Sequence, residues 1–276
     1  MTTNVQQLPL QNIVFKASHN SYDRDETLGQ QLTFNANDAY QCGCRGLELD
    51  IWRHSSNQMN PGYFTVGHTF TDNNTNLSVY LSQILAWHNS NQNHDLVWVM
   101  LDIKSSDGDS STFPDEIDNY LSTYLGSDKI ANPKLLFPDF VDGSYLSDLV
   151  AQHGWPLLGT FTNKFIFCLS GTEEWKNVYV NQYPSKRLCF ADSGDVSLLT
   201  KQNQRVVYNV ESGDEKQSNF QSLQAKNIFI RVYDTDSEKD WDTATQMGAN
   251  MLATDKVSNH DWAEVSSSSP FAQRGI

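Results

Sequence analysis

The sequence predicts an α/β protein, a distorted (β/α)8 barrel of the TIM type in a single domain over residues 1–276, on two observations. Short apolar runs alternate with longer amphipathic stretches along nearly the whole chain, and the candidate strands number nine, one more than a closed barrel needs. The candidates are residues 12–17, 46–52, 63–67, 95–104, 164–169, 187–190, 205–210, 227–232 and 250–253, one of them a surplus strand in a loop. A helix is expected over 77–88, where Leu77, Leu81, Ile84, Leu85 and Trp87 mostly recur at helical spacing, and others over 172–181, 214–225 and 239–247. Residues 105–144, rich in Asp, Ser, Pro and Gly, read as an insertion holding a helix at 114–124 and a proline-bounded loop.

Composition narrows the function. Nineteen basic against 33 acidic side chains leave a formal charge of −14, which repels polyphosphate and speaks against a nucleic-acid partner. Neither glycine-rich phosphate loop, G-x-G-x-x-G or G-x-x-x-x-G-K, occurs, so no nucleotide cofactor is expected. A hydrophobic fraction of 38% with 12% aromatics suffices for one large core, and no run of about 18 apolar residues could span a bilayer. The cysteines at 42, 44, 168 and 189 are too few and too irregular for a disulfide scaffold or a zinc site and read as mostly buried thiols. Residues 1–12 show no secretory leader, while few Lys beside many Asn, Gln, Ser and Thr tilt the compartment towards secretion, with a leader removed, over the cytoplasm. A monomer is expected.

The polar residues at strand ends carry the chemistry. In Leu47-Glu48-Leu49-Asp50-Ile51 alternation puts the two carboxylates on one face and the three aliphatics on the other. Two adjacent inward anions are costly unless a cation compensates, and a hard divalent metal would do so; the bland alternative is an acidic solvent face on an edge strand. His19 follows the first candidate strand, His68 the third, and Asp102 and Lys104 share a face of the fourth. Four strands in sequence order thus deliver polar groups to one rim, where barrel enzymes keep their sites. Lys104 either binds phosphate or pairs with Asp102. His54, His88, His94, His153 and His260 are given no chemistry.

Three motifs here resemble the phosphatidylinositol-specific phospholipases C: Ser18-His19-Asn20-Ser21-Tyr22, then Gly43-Cys44-Arg45-Gly46-Leu47-Glu48-Leu49-Asp50-Ile51-Trp52, then Gly67-His68-Thr69. A fourth likeness lies at Arg231-Val232-Tyr233 and the segment after it, whereas the middle third is only weakly similar. The resemblance implies a calcium ion, with magnesium as the alternative, on Asn20, Glu48, Asp50 and Asp102, the last standing where the family more often has Glu. Calcium favours such hard oxygen ligands. It implies His19 and His68 as catalytic imidazoles, Glu48 as a second candidate base, and Arg231 and Tyr233 as substrate-binding residues at the inositol ring; Lys104, if it binds phosphate, joins them as a substrate-binding residue. The implied partner is a phospholipid at a membrane or micelle surface. The implied reaction releases diacylglycerol and inositol 1,2-cyclic phosphate, with hydrolysis to inositol 1-phosphate left open. The strand at 164–169 lacks the lysine pair of relatives that take phosphorylated inositides, so unphosphorylated phosphatidylinositol is the expected substrate. Three rivals remain: a sphingomyelinase D-like or phospholipase D-like phosphodiesterase, which shares an Asp-x-Lys strand, a non-catalytic inositol- or lipid-binding barrel, and a soluble barrel of unrelated function, which requires that the motif residues do not converge in space.

Overall fold

Eight strands run parallel and close on themselves. The computed structural model describes residues 4–36, 38, 41–54, 64–71, 73–106 and 109–275. The barrel strands are β1 (Ile13–Ser18), β2 (Gly46–Arg53), β5 (Val97–Ser106), β6 (Phe165–Gly171), β7 (Phe190–Ser193), β8 (Val207–Glu211), β9 (Phe229–Tyr233) and β10 (Met251–Thr254). Neighbours pair in parallel from β2 through β5 round to β10 and β1, and the ring closes where Ala17 of β1 meets Gly46 of β2. A Cβ on Gly46 would lie 2.4 Å from that of Ala17, so only glycine lets these two strands touch.

Three further strands flank the ring. β3 (Phe64–Val66) and β4 (Thr75–Asn76) extend β2 as an antiparallel hairpin, and β11 (Phe271–Gln273) lies antiparallel to β1. The surplus candidate is therefore the one expected at 63–67: it is β3, outside the barrel, and its expected first residue Tyr63 lies outside the described residues. One boundary also differs. The strand expected at 187–190 is β7 at Phe190–Ser193, because Ala191, Asp192 and Ser193 carry the strand onward without the apolar run by which strands are recognised.

The helices are α1 (Leu28–Gln31), α2 (Leu77–Ser90), α3 (Phe113–Tyr124), α4 (Pro133–Leu136), α5 (Leu146–His153), α6 (Glu173–Asn181), α7 (Val196–Leu199), α8 (Gln217–Gln224) and α9 (Glu238–Met247). The helical layer is uneven: a one-turn helix joins β1 to β2, and α3, α4 and α5 all fall between β5 and β6. Among the described residues no helix is long and apolar enough to cross a membrane.

Strand alternation sorts the core into two layers. Leu47, Leu49 and Ile51 of β2 and Val97, Val99, Leu101 and Ile103 of β5 point outward and pack with Leu81, Ile84, Ile117 and Leu121 from α2 and α3, each fully buried aliphatic contributing about 1.5–3 kcal/mol. Inside the ring the lower half is a plug of aromatics, with Trp98 stacked on Phe229 at 4.3 Å and Trp155 packed against Phe190 at 5.3 Å. Above the plug the inward residues turn polar. On β5 the inner face runs Trp98, Met100, Asp102, Lys104 from plug to mouth, and on β9 it runs Phe229, Arg231, Tyr233.

Candidate active site

The mouth of the barrel holds three carboxylates in a group. Asp50 and Asp102 are paired partners on adjacent strands, so pleating sends both inward side by side, and Glu48 stands one inward position below Asp50. Ligand oxygens of Glu48, Asp50 and Asp102 all lie within 4.8 Å of one another.

Each carboxylate has one oxygen engaged by the protein. Asp50, fully buried, accepts at Oδ2 from the Tyr22 hydroxyl (2.8 Å), Lys104 Nζ (3.0 Å) and His68 Nδ1 (3.2 Å). Asp102 Oδ2 accepts from Lys104 Nζ at 2.7 Å, and Glu48 Oε2 takes Arg231 Nη2 at 2.5 Å. Oδ1 of Asp50 and Oδ1 of Asp102 are buried with no hydrogen-bond partner among the described residues. Burial raises the Asp102 carboxyl above its ordinary value; Lys104 opposes this, and the Glu48 and Asp50 charges add to it. For Lys104 burial works downward, but Asp102 and Asp50 outweigh it and hold the ammonium charged. Lys104 thus pairs with Asp102 and with Asp50 as well.

The turn after β1 locks β2 in place. Ser21 Oγ accepts from the Glu48 amide (2.8 Å), and the Tyr22 hydroxyl reaches both Asp50 Oδ2 and Asn20 Oδ1, the latter at 3.3 Å. Asn20 has a left-handed backbone, φ 46°, a conformation Asn tolerates better than most residues. Ser21 and Tyr22, legible only as pattern in the sequence, thus hold the β2 backbone at Glu48 and the Asp50 carboxylate.

The two histidines differ. His19 is largely buried; its Nδ1 donates to Asp255 Oδ1 (3.1 Å) with Asp234 Oδ1 at 2.9 Å, and its Nε2 lies between Asn20 Nδ2 (3.4 Å) and Glu48 Oε2 (3.8 Å). Its ring stacks on Tyr233 at 5.8 Å. Burial lowers the His19 pKa, but the Asp255 bond and the Glu48 and Asp234 charges outweigh both burial and Arg231, and the net shift is upward. His68 is 71% exposed at the side chain and, among the described residues, is held at Nδ1 by Asp50. It does not come from a barrel strand: β3 folds back antiparallel on β2, and Gly67 N donates to Asp50 O (3.0 Å), which sets His68 beside Asp50. The expected delivery from four successive barrel strands is thus corrected to three, β1, β2 and β5, with a hairpin supplying His68.

Glu48 and Asp102, with His19 and Lys104, form one wall of a cavity of about 310 Å3 that extends across to β6, β7, β8 and β9, within the usual range for small-molecule sites. Arg231, 1% exposed, spans it: Nη1 donates to Asn209 Oδ1 (2.8 Å), Nη2 to Glu48, and the guanidinium lies 5.3 Å from the Tyr233 ring centre.

The sequence profile of the family described as "Phosphoinositide phospholipase C, Ca2+-dependent" matches residues 60–269. The chain belongs to that family. This makes the protein a Ca2+-dependent phosphodiesterase of inositol phospholipids. Its barrel is similar to the calcium-dependent phosphoinositol-specific phospholipase C of a Gram-negative Pseudomonas species, with 18% identity, a TM-score of 0.79, and coverage of 98% of this chain and 96% of that one. It is also similar to the Ca2+-dependent phosphatidylinositol-specific phospholipase C of Streptomyces antibioticus, with 15% identity, a TM-score of 0.67, and coverage of 97% and 99%. No curated protein matches the chain.

The phospholipase's matched segment contains His68, Asp102, Lys104, Arg231 and Tyr233, whereas His19, Asn20, Glu48 and Asp50 precede it and join the site through geometry. The residues fit a calcium ion. Ligands about 2.3–2.6 Å from such an ion stand up to roughly 5 Å apart, as these carboxylate oxygens do, and two of the carboxylates have buried oxygens without partners among the described residues. Gly171 preserves the room: at φ 78° its hypothetical Cβ would fall 2.2 Å from Asp102 Oδ1. Sequence reasoning missed Asp234 and Asp255, which brace His19, and Ser170, Lys176, Asp192 and Asn209, which wall the cavity. Asp192 follows Phe190 by one alternation, so its inward place can be read from the sequence once the strand is carried past residue 190.

Proposed function

We infer that the phospholipase cleaves unphosphorylated phosphatidylinositol to diacylglycerol and inositol 1,2-cyclic phosphate, by attack of the ring 2-hydroxyl on phosphorus. One observation carries the reading: the trio Glu48, Asp50 and Asp102 stands in the barrel mouth with His19 and His68 at its two flanks. Glu48, Asp50, Asp102 and the amide oxygen of Asn20 would hold the calcium ion, which when bound neutralises phosphate charge and acidifies the 2-hydroxyl.

The chain's own groups move the protons. Glu48, fixed by Arg231, takes the proton of the 2-hydroxyl as the O–P bond forms. His68, held at Nδ1 by Asp50, gives its Nε2 proton to the glycerol oxygen as the other P–O bond breaks. His19, with Nδ1 fixed on Asp255, presents Nε2 as a donor to a phosphate oxygen, its raised pKa favouring the charged form. Tyr233 offers its ring face to the inositol, and Arg231 keeps the ring side of Glu48 in register. Intramolecular attack needs no ordered water, so orientation alone removes much of the barrier.

Phosphorus NMR of the purified protein with phosphatidylinositol tests this reading, first with calcium and then with a chelator. A cyclic inositol phosphate signal that disappears on chelation is the expected result. Inositol 1-phosphate as the first product would overturn the intramolecular attack, and choline release from sphingomyelin with no turnover of phosphatidylinositol would put a sphingomyelinase D-like reaction in its place.

A further inference from the structure

The cavity wall away from the carboxylate trio is built from charges that cancel. Asp192, 1% exposed, accepts at Oδ1 from Lys176 Nζ (2.6 Å) and at Oδ2 from Asn209 Nδ2 (2.8 Å). Lys176, itself 4% exposed, also reaches Asp192 O (3.4 Å) and Glu173 Oε2 (3.3 Å), so the three donor directions of its ammonium are all engaged. Behind them Arg205 gives Nη1 to Glu173 Oε1 (2.5 Å) and to Asp192 O (3.2 Å). Two cations and two anions thus form a neutral group, and of these four only Lys176 and Asp192 line the cavity. Asn209 spends both amide hydrogens, one on Asp192 and one on Ser170 Oγ (3.1 Å), and its oxygen on Arg231.

Such a wall suits hydroxyls and opposes phosphate. A neutral hydroxyl entering the cavity finds spare lone pairs on the Asp192 carboxylate, and a bond to an ionised acceptor is the stronger kind. A phosphate monoester on the ring would bring up to two negative charges against a buried carboxylate whose lysine has no donor left to offer, and like charges so placed repel. We propose that Asp192, clamped by Lys176 and Asn209, is the specificity-determining residue that makes the cavity accept a plain inositol ring and exclude rings phosphorylated away from the scissile phosphate. The inference rests on the phospholipase C reading of the same site and names its substrate class and the residue that sets it.

The test compares phosphatidylinositol with phosphatidylinositol 4-phosphate and 5-phosphate in mixed micelles with calcium, for the full chain and two variants. The wild-type protein should prefer phosphatidylinositol by about 100-fold or more in kcat/KM, the equivalent of one close like-charge contact. Asp192→Asn removes the anion and leaves the Lys176 ammonium to meet phosphate, so the preference should narrow by about tenfold, through gained turnover of a monophosphate. The double variant Lys176→Met with Asp192→Asn removes both charges and should gain no monophosphate turnover. If Asp192→Asn does not fold, inhibition of the wild-type protein by soluble myo-inositol and inositol 4-phosphate decides, only the former being expected to compete. Equal wild-type turnover of all three lipids, a folded Asp192→Asn with the wild-type ratio, or equal inhibition by the two soluble ligands would overturn the role of Asp192 while leaving phospholipase C activity standing. No turnover of any of the three lipids by the wild-type protein would instead overturn the phospholipase C reading itself.

Discussion

The two sides of the barrel mouth use the same kinds of residue to opposite ends. On the side of β1, β2 and β5 three carboxylates converge on one lysine and one arginine, and two buried oxygens, Asp50 Oδ1 and Asp102 Oδ1, lack partners among the described residues. On the side of β6, β7 and β8 two carboxylates meet two cations, and the ammonium of Lys176 is fully engaged. The first arrangement has an excess of negative charge that a cation relieves; the second is closed and has nothing to give an anion. Buried charge by itself therefore does not mark a metal centre. What separates the two walls is whether the partners of each carboxylate are all supplied from within the chain.

The largest expected effect tests that distinction. Asp50→Asn should lower calcium-stimulated turnover by at least about 1,000-fold, and chelation should leave the wild-type protein equally inactive. Unchanged calcium dependence in the variant would make the acidic wall as self-sufficient as the other. His68→Ala should cost about 100- to 10,000-fold on phosphatidylinositol yet little on an analogue with a nitrophenol leaving group, which departs without a proton. Comparable losses on both substrates would remove His68 from the leaving-group step.

Smaller effects concern how each wall is held. Asp255→Asn deletes a carboxylate that favours the charged form of His19, so the His19 pKa should fall, as followed by imidazole NMR signals in calcium-free protein. Whichever form of His19 is active, its limb of the pH–rate profile should move to lower pH, with a loss of about tenfold in rate. A His19 titration that stays put would leave Asp234 as the residue that matters. Asn209→Ala breaks the bridge between the walls, since Asn209 joins Arg231 to Asp192; KM should rise about three- to tenfold with kcat nearly constant. A fall in kcat as deep as that of His68→Ala would show that the two walls act as one unit.

Legibility followed chain distance. Glu48 and Asp50 could be read as neighbours on one face because pleating has period two, and His19 and Asn20 were carried by a short contiguous motif. The outer layer was legible too, since its aliphatics alternate along β2 and β5. The position of β3 was not, because an antiparallel hairpin and a barrel strand share the same apolar signature over three residues. Asp192 escaped for a related reason: the inward residues at a barrel mouth are polar, which erases the pattern by which a strand end is recognised.

The sequence by itself determined the class of fold, the carboxylate pair on β2, both flanking histidines and the family resemblance, all of which depend on local periodicity or on residues close together in the chain. Only the tertiary structure decided that Lys104 bridges Asp50 and Asp102, that Arg231 is tied to Glu48, 183 residues away, and that Lys176, Asp192 and Asn209 form one neutral wall. The reason is physical. The energy of a buried charge is set by what surrounds it in space, and those surroundings are assembled by strand register and barrel closure, which bring together residues that no local pattern connects.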